Sequence, residues 1–405
     1  MNASIAPNET ADGHRPLLPG VRVRLDAASC LPERFPANTC ELCVEACPLA
    51  LLESRGGAPR LIEAATMQAD SCIGCGQCAA VCPSGALHVD GFALPAELPD
   101  EAELLVDCWR VPAAESPAGT LRVPCLGGLS AGWLLSLFDQ SGERPIRLLE
   151  RGQCAECPAG AGIKSLLAAI TETRMLLFEC GVDMSQMPML AWRPCHTPLL
   201  PAIPASMAEV PLPRRGFFRS LLGESLKAVE ATRPAADSGP ITLRSPMQPL
   251  QRLRLATALT GIARRHDRPL PTRILPHLSL GACDANGVCA AVCPTGALQK
   301  ATPAAGQAEL RFESLRCIAC NQCARVCPER SLRLDVQGGE AKPVVLASWR
   351  QRECIRCGSD FSDPAASAEP ASAAGLCSTC RKTEALSRGV AAFLRPTLGS
   401  DVSQP

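Results

Sequence analysis

The stretch Asp70-Ser-Cys72-Ile-Gly-Cys75-Gly-Gln-Cys78-Ala-Ala-Val-Cys82-Pro83 carries four cysteines at C-x2-C-x2-C-x3-C-P spacing. Leu315-Arg-Cys317-Ile-Ala-Cys320-Asn-Gln-Cys323-Ala-Arg-Val-Cys327-Pro328 repeats it. Thiolates at these intervals are the ligand run of iron–sulfur clusters, in which three cysteines hold one cubane and the fourth crosses to a second. The run is too long to arise twice by chance. A further stretch, Ala290-Ala-Val-Cys293-Pro-Thr-Gly-Ala-Leu298, copies the end of the first, Ala79-Ala-Val-Cys82-Pro-Ser-Gly-Ala-Leu87. Each cysteine-rich unit therefore holds two related half-motifs.

Working outward, the composition narrows the class. The 405 residues include 25 cysteines, no tyrosine and 3% aromatics, with 31 glycines and 37 prolines. That is a poor recipe for one large apolar core and a good one for small domains organised by metal. Forty basic residues balance forty acidic ones, so no global charge argues for nucleic acid. Disulfide scaffolds of this cysteine density belong to short secreted chains. Residues 1–20 carry no apolar stretch, so no signal peptide is expected, and no run of 18 apolar residues predicts a membrane span. The chain reads as reduced and cytoplasmic.

The organisation is that of a multidomain chain of mixed α+β and α/β class. Residues 1–20 read as disordered, 21–98 as a first two-cluster unit, and 99–197 as a small α/β domain containing cysteines. Short β-like runs at 103–106, 120–123 and 145–149 alternate there with helical ones at 131–138 and 163–177, which predicts parallel strands with crossover helices. Residues 198–249 are a proline-rich linker with a short helix at 219–231. Residues 250–345, opening with a basic helix over 250–265, form the second two-cluster unit, and 346–405 form a separate tail.

Both cysteine-rich units resemble bacterial two-cluster [4Fe–4S] ferredoxins, so the chain resembles a polyferredoxin. The resemblance spans about 130 residues and implies the ligands through the crossing rule. In the first unit it gives Cys72, Cys75 and Cys78 with Cys47, and Cys40, Cys43 and Cys82 with one more. Ala37 stands where that last cysteine belongs, and Cys30, a few residues upstream, is read as its substitute, against a free thiol or a three-iron site. In the second unit it gives Cys317, Cys320 and Cys323 with Cys293, and Cys283, Cys289 and Cys327 with Asn286 in place of the fourth cysteine. An amide is a poor ligand for this soft chemistry. The site is therefore read as a [3Fe–4S] or labile four-iron cluster, with an unusually ligated cubane and an empty site as alternatives. Three to four [4Fe–4S] clusters follow overall. Structural zinc in these units is the weaker reading.

In the middle domain Cys108, Cys125, Cys154 and Cys157 follow expected strands and so gather at the carboxyl edge of a parallel sheet, where such folds bind ligands. Arg122-Val-Pro-Cys125-Leu-Gly-Gly-Leu-Ser-Ala-Gly-Trp-Leu-Leu-Ser-Leu-Phe138 and Ile146-Arg-Leu-Leu-Glu-Arg-Gly-Gln-Cys154-Ala-Glu-Cys157-Pro are similar to the delta-subunit domain of methyl-viologen-reducing hydrogenases. That resemblance implies an additional iron–sulfur cluster and electron transfer toward a heterodisulfide reductase. The departures are a tighter C-x2-C pair and a single cysteine, Cys108, in the first segment. Structural zinc and unligated thiols are the alternatives. Cys180 and Cys195 read as small buried hydrophobes, and His196 as polar surface.

Cys354-x2-Cys357-x19-Cys377-x2-Cys380 has zinc-ribbon spacing, with the Ala/Ser-rich span between the pairs as a loop. Zinc and a docking role are expected. A rubredoxin-like iron site is the alternative, although Cys377-Ser-Thr-Cys380-Arg lacks the Pro and Gly expected of it. Arg214-Arg-Gly-Phe-Phe-Arg219 resembles a twin-arginine core and the openings of accessory ferredoxins of periplasmic nitrate reductases, but reads more simply as a basic linker.

No GxGxxG, P-loop or HExxH occurs, and only five histidines are present. The expected role is therefore an electron-transfer subunit relaying single electrons to or from a larger oxidoreductase. Formate dehydrogenase, hydrogenase, heterodisulfide-reductase-like and molybdenum enzymes are the partners weighed. Two other roles stay open: a catalytic iron–sulfur reductase subunit, or a maturation or docking factor for an oxidoreductase.

Overall fold

The computed structural model describes residues 23–35, 38–55, 58–61, 72–160, 162–200, 245–283, 285–302, 307–364 and 375–394. Residues 1–20, most of the expected linker and the 219–231 helix lie outside them. The chain divides into two compact units, Met1–Arg244 with Gln248–Leu270, and Ser245–Met247 with Pro271–Pro405.

The first unit opens with the ferredoxin half-motifs. Strand β1 (Val23–Leu25) pairs antiparallel with β4 (Leu87–Val89), joining the start of the motif to its end. Between them come the one-turn helices α1 (Leu31–Arg34) and α2 (Leu42–Glu45), the hairpin β2 (Leu52–Arg55) and β3 (Ala58–Leu61), and helix α3 (Gln77–Ala80). Helices this short have no stability of their own. They are held by a small core of Cys43, Cys78 and Leu87, with Val23, Leu25 and Leu52 packed against it.

The middle domain follows as expected from its alternating pattern. Strands β5 (Leu104–Cys108), β6 (Leu121–Val123), β7 (Ile146–Glu150) and β8 (Met189–Trp192) form one parallel sheet in the order β6-β5-β7-β8. Helix α4 (Ala131–Gln140) links β6 to β7, and α5 (Gly162–Glu179) links β7 to β8. Strand β8 was not expected from the sequence. Its Met-Leu-Ala-Trp run is half exposed and carries no alternation. Leu104, Ile146 and Leu148 on the strands and Leu134, Leu137, Phe138, Leu166 and Leu176 on the helices are all fully buried. The sheet reverses strand order between β5 and β7, which is where open α/β sheets form their sites.

Helix α6 (Leu250–Arg265) forms where the sequence predicts it, but in the first unit rather than the second ferredoxin. The reason is steric and electrostatic. Helix α4 is apolar nearly all round, burying Trp133 and Leu135 as well as its sheet-facing residues, so it needs cover on both faces. Gly132 admits Leu255 and the Gln251 carbonyl, and Gly261 admits Asp139. Arg265 then bonds Asp139 and Glu143 at 2.7 Å each, and His266 meets Glu143 at 2.7 Å.

In the second unit, β9 (His277–Leu280) pairs with β12 (Leu332–Asp335) as β1 does with β4. Helices α7 (Val288–Ala291) and α8 (Gln322–Arg325) flank the hairpin of β10 (Leu298–Ala301) and β11 (Gln307–Phe312). That hairpin continues into β13 (Val344–Glu353) and β14 (Asp360–Pro364), one sheet of order β10-β11-β13-β14. The boundary expected at 345/346 thus falls inside a strand, because β13 finishes the ferredoxin sheet and then delivers Cys354. The start of the span expected as a loop is strand β14. Helix α9 (Ser378–Leu394) closes the tail. Among the described residues no helix is long and apolar enough to cross a membrane.

Burial alone would raise the Glu143 carboxyl, but hydrogen bonds from Arg265 and His266 hold it below its ordinary value. Its stabilising contribution is therefore full above about pH 4.3 and lost as pH falls through the depressed pKa. Glu143→Gln is expected to destabilise the first unit by about 1 kcal/mol at neutral pH. Denaturant unfolding should show that difference shrink as the pH is lowered below about 4.3.

Candidate iron–sulfur and metal sites

All 25 cysteines are without disulfide partners. In the first ferredoxin their thiols collect at two cavities. One is lined by Cys30, Cys40, Cys43 and Cys82, the other by Cys47, Cys72, Cys75 and Cys78. Each cavity thus takes thiols from both half-motifs. Cys30 reaches its cavity because it caps the N-terminus of α1, with Pro32 in the first turn. It is 6% exposed and acts electrostatically on Cys43.

The local turns aim backbone N–H groups at the sulfurs. Gly74 and Gly76 take φ of 64° and 76°. In the second unit Ala319 and Asn321 adopt the same left-handed values, 53° and 59°, and Ala285 and Gly287 do so at the other half-motif. Consecutive turns of this kind present N–H groups to an anion. Leu51 N–H lies 3.4 Å from Cys47 Sγ, Ala285 N–H 3.3 Å from Cys283 Sγ, and Leu298 N–H 3.4 Å from Cys293 Sγ. Burial pushes the Cys43 thiol up to about 11 and Cys78 and Cys323 to about 12, and neighbouring thiols add to it. Such thiols are protonated at neutral pH until a metal displaces the proton.

In the second ferredoxin, Cys293, Cys317, Cys320 and Cys323 act on one another, as do Cys283, Cys289 and Cys327. At the corner without a thiol, Asn286 Oδ1 accepts the Val288 N–H at 3.0 Å, and its Nδ2 donates to Glu329 at 3.1 Å. The amide is thereby committed to the turn, and a carboxylate stands beside the corner. Sequence reasoning missed Glu329, which follows the Cys-Pro pair and bears no ligand spacing of its own.

In the middle domain Cys108 ends β5, Cys125 follows β6, and Cys154 and Cys157 follow β7, so all four lie at the carboxyl edge. Their thiols influence one another: Cys157 acts on Cys108, Cys125 and Cys154. Burial lifts Cys108 to about 11 and Cys154 to about 12. Arg110 Nη1 lies 2.8 Å from Cys157 Sγ, and Glu150 lies beside Cys154. Beneath this edge Asp107 and Arg151 form a buried ion pair at 2.6 Å. Arg110 and Glu150 carry no motif and were not legible in the sequence. Cys180 and Cys195 are buried, 0% and 5% exposed.

In the tail, the ligand atoms of Cys354, Cys357, Cys377 and Cys380 all lie within 4.8 Å of one another. Cys357 and Cys377 sulfurs are 3.8 Å apart. Tetrahedral thiolates around one ion at about 2.3 Å stand about 3.8 Å apart. Backbone N–H donation from Cys377 pulls the Cys354 thiol down to about 6, and its side chain pushes Cys380 up to about 12. Among the described residues this is the one group of at least three His, Cys, Asp or Glu gathered so tightly. The thiols of the ferredoxin and middle-domain sets are spread more widely.

The 4Fe-4S dicluster domain family model matches residues 38–86 and 281–331. The chain thus contains two 4Fe–4S dicluster domains, which supports an iron–sulfur electron-transfer role. Neither match reaches Cys30, the middle domain or the tail. No curated protein matches the chain.

Ala319 occupies a left-handed backbone that its repeat partner fills with glycine, at a cost of about 1–2 kcal/mol. Ala319→Gly is expected to stabilise the second unit by about 0.5–1 kcal/mol net of the glycine's added unfolded-state freedom, measured by denaturant unfolding. The equivalent change at exposed Ala385 in α9, by contrast, should destabilise.

Proposed function

We propose that this chain is a polyferredoxin that relays single electrons to or from a larger oxidoreductase, of the formate dehydrogenase, hydrogenase, heterodisulfide-reductase-like or molybdenum type. The observation that carries the reading is the convergence of Cys30, Cys40, Cys43 and Cys82 on one cavity and of Cys47, Cys72, Cys75 and Cys78 on another. When bound, iron–sulfur clusters at these thiols would supply one-electron chemistry. The chain's own residues do the rest. Buried thiols exclude water, and backbone N–H groups at Leu51, Ala285 and Leu298 stabilise the negative sulfurs.

The middle-domain edge supports a further cluster. Four thiols there share one environment, and Arg110 offsets negative charge at Cys157. The tail supports zinc, since its sulfur spacing suits one tetrahedral ion. There the metal would bind β14, β13 and α9 together and make a docking module. The Asn286 corner supports a three-iron or labile cluster, because its amide is spent on the Val288 turn.

Anaerobic purification with iron, sulfide and zinc analysis and EPR tests this reading. About 15–16 irons from the ferredoxin sites, about four more from the middle domain and one zinc are expected. An oxidised three-iron signal should disappear in Asn286→Cys, with about one iron gained per chain. Little iron together with several zincs would replace the relay with a zinc-held scaffold.

A further inference from the structure

The cysteine edge of the middle domain meets the first ferredoxin at one close approach. The turn Leu126–Gly128, just after Cys125, packs on α3. A side chain on Gly128 would strike the Cys75 carbonyl oxygen, and a β-carbon on Gly127 would sit 2.5 Å from the Cα of Gly162. Only glycines let these three backbones come together.

Gln77 fills the space between the two cysteine sets. It is 2% exposed, and its amide is used at both ends. Nε2 lies 3.8 Å from Cys75 Sγ, and Oε1 accepts a hydrogen bond from Ser165 Oγ on α5 at 3.3 Å. The point where a Gly162 β-carbon would lie is 3.0 Å from Gln77 Nε2 and 3.6 Å from Cys125 Sγ. One amide group is therefore within a side chain's breadth of a thiol of each set. A buried amide is tolerated only when its donors and acceptor are satisfied, so the side chain is locked in this orientation.

We propose that Gln77 is a positioning residue that locks the Cys75 corner of the inner ferredoxin site to the Cys125 corner of the middle-domain site, making these two sites adjacent, coupled centres. The proposal rests on Cys108, Cys125, Cys154 and Cys157 holding an iron–sulfur cluster. Gln77 donates to the Cys75 sulfur and so favours its electron-rich state, while the Ser165 bond fixes the distance between α3 and α5. Gln322 takes the same place in the repeated motif, beside Cys320, where the neighbouring groups are Cys293 and Arg325. It serves as the internal control.

The test is an EPR-monitored redox titration of the full anaerobic chain, with iron analysis, for wild type, Gln77→Leu, Ser165→Ala, Gln322→Leu and Cys125→Ser. Wild type is expected to show spin–spin splitting between two reduced centres, and Cys125→Ser to lose that splitting along with iron. Gln77→Leu should lose the splitting and move one centre to more negative potential, since a thiolate loses a donor. Ser165→Ala, which leaves the cluster loops intact, should shift both in the same direction by less. Gln322→Leu should move a different centre and keep the splitting. Wild-type splitting and potentials in both Gln77→Leu and Ser165→Ala would overturn the proposal while the cluster reading stands. Loss of the same splitting in Gln322→Leu would also overturn it. Unchanged iron in Cys125→Ser, with no splitting in wild type, would instead overturn the cluster reading of the middle domain, and the proposal with it.

Discussion

The structure depends on one constraint: the thiols of each ferredoxin site must come from two half-motifs that are distant in sequence. Cys82 joins Cys40 and Cys43, and Cys47 joins Cys72, Cys75 and Cys78. The rest of each ferredoxin unit follows from that crossing. One-turn helices suffice because each needs only to present a cysteine or two. Left-handed turns recur at Gly74, Gly76, Ala285, Gly287, Ala319 and Asn321 because the backbone must bend around a common point whichever residue is present. The end strands pair, β1 with β4 and β9 with β12, because the crossing brings the start and finish of each motif together.

Thiol burial ties this arrangement to metal. With so few aromatics, the cores are built partly from the ligands themselves, as in the cluster of Cys43, Cys78 and Leu87. Buried thiols favour their protonated form, and their proximity to one another strengthens that preference. Metal binding must displace those protons, so metal loading in these units depends on pH. The tail differs in kind. Its sulfurs are already at the spacing of a single ion, and Cys354 is drawn toward the thiolate by backbone N–H groups.

In the first unit, small residues decide what can approach what. Gly127 and Gly162 bring the Cys125 turn onto α5, and Gly132 and Gly261 bring α6 onto α4. The second contact is then reinforced by Arg265 and His266 on Glu143. A helix that continues directly into the second ferredoxin's sequence is thereby claimed by the middle domain, whose α4 would otherwise expose an apolar face.

Cysteine spacing alone made the ferredoxin units legible, because ligand geometry dictates intervals of two and three residues whatever the surrounding chain does. The alternation of β-like and helical runs likewise predicted the parallel sheet and the gathering of Cys108, Cys125, Cys154 and Cys157 at one edge. The Cys354–Cys380 quartet was readable for the same reason as the ferredoxins. What the chain order concealed are contacts between residues without any spacing: Arg110 on Cys157, Glu329 on Asn286, Gln77 between Cys75 and Ser165. The allegiance of α6 and the run of β13 from ferredoxin sheet into metal knuckle were equally hidden. Local periodicity reports which residues form an element and which face is apolar. Only the packed structure decides which of several apolar faces meet, and that choice rests on close approaches at single glycines and on charges brought together from distant parts of the chain.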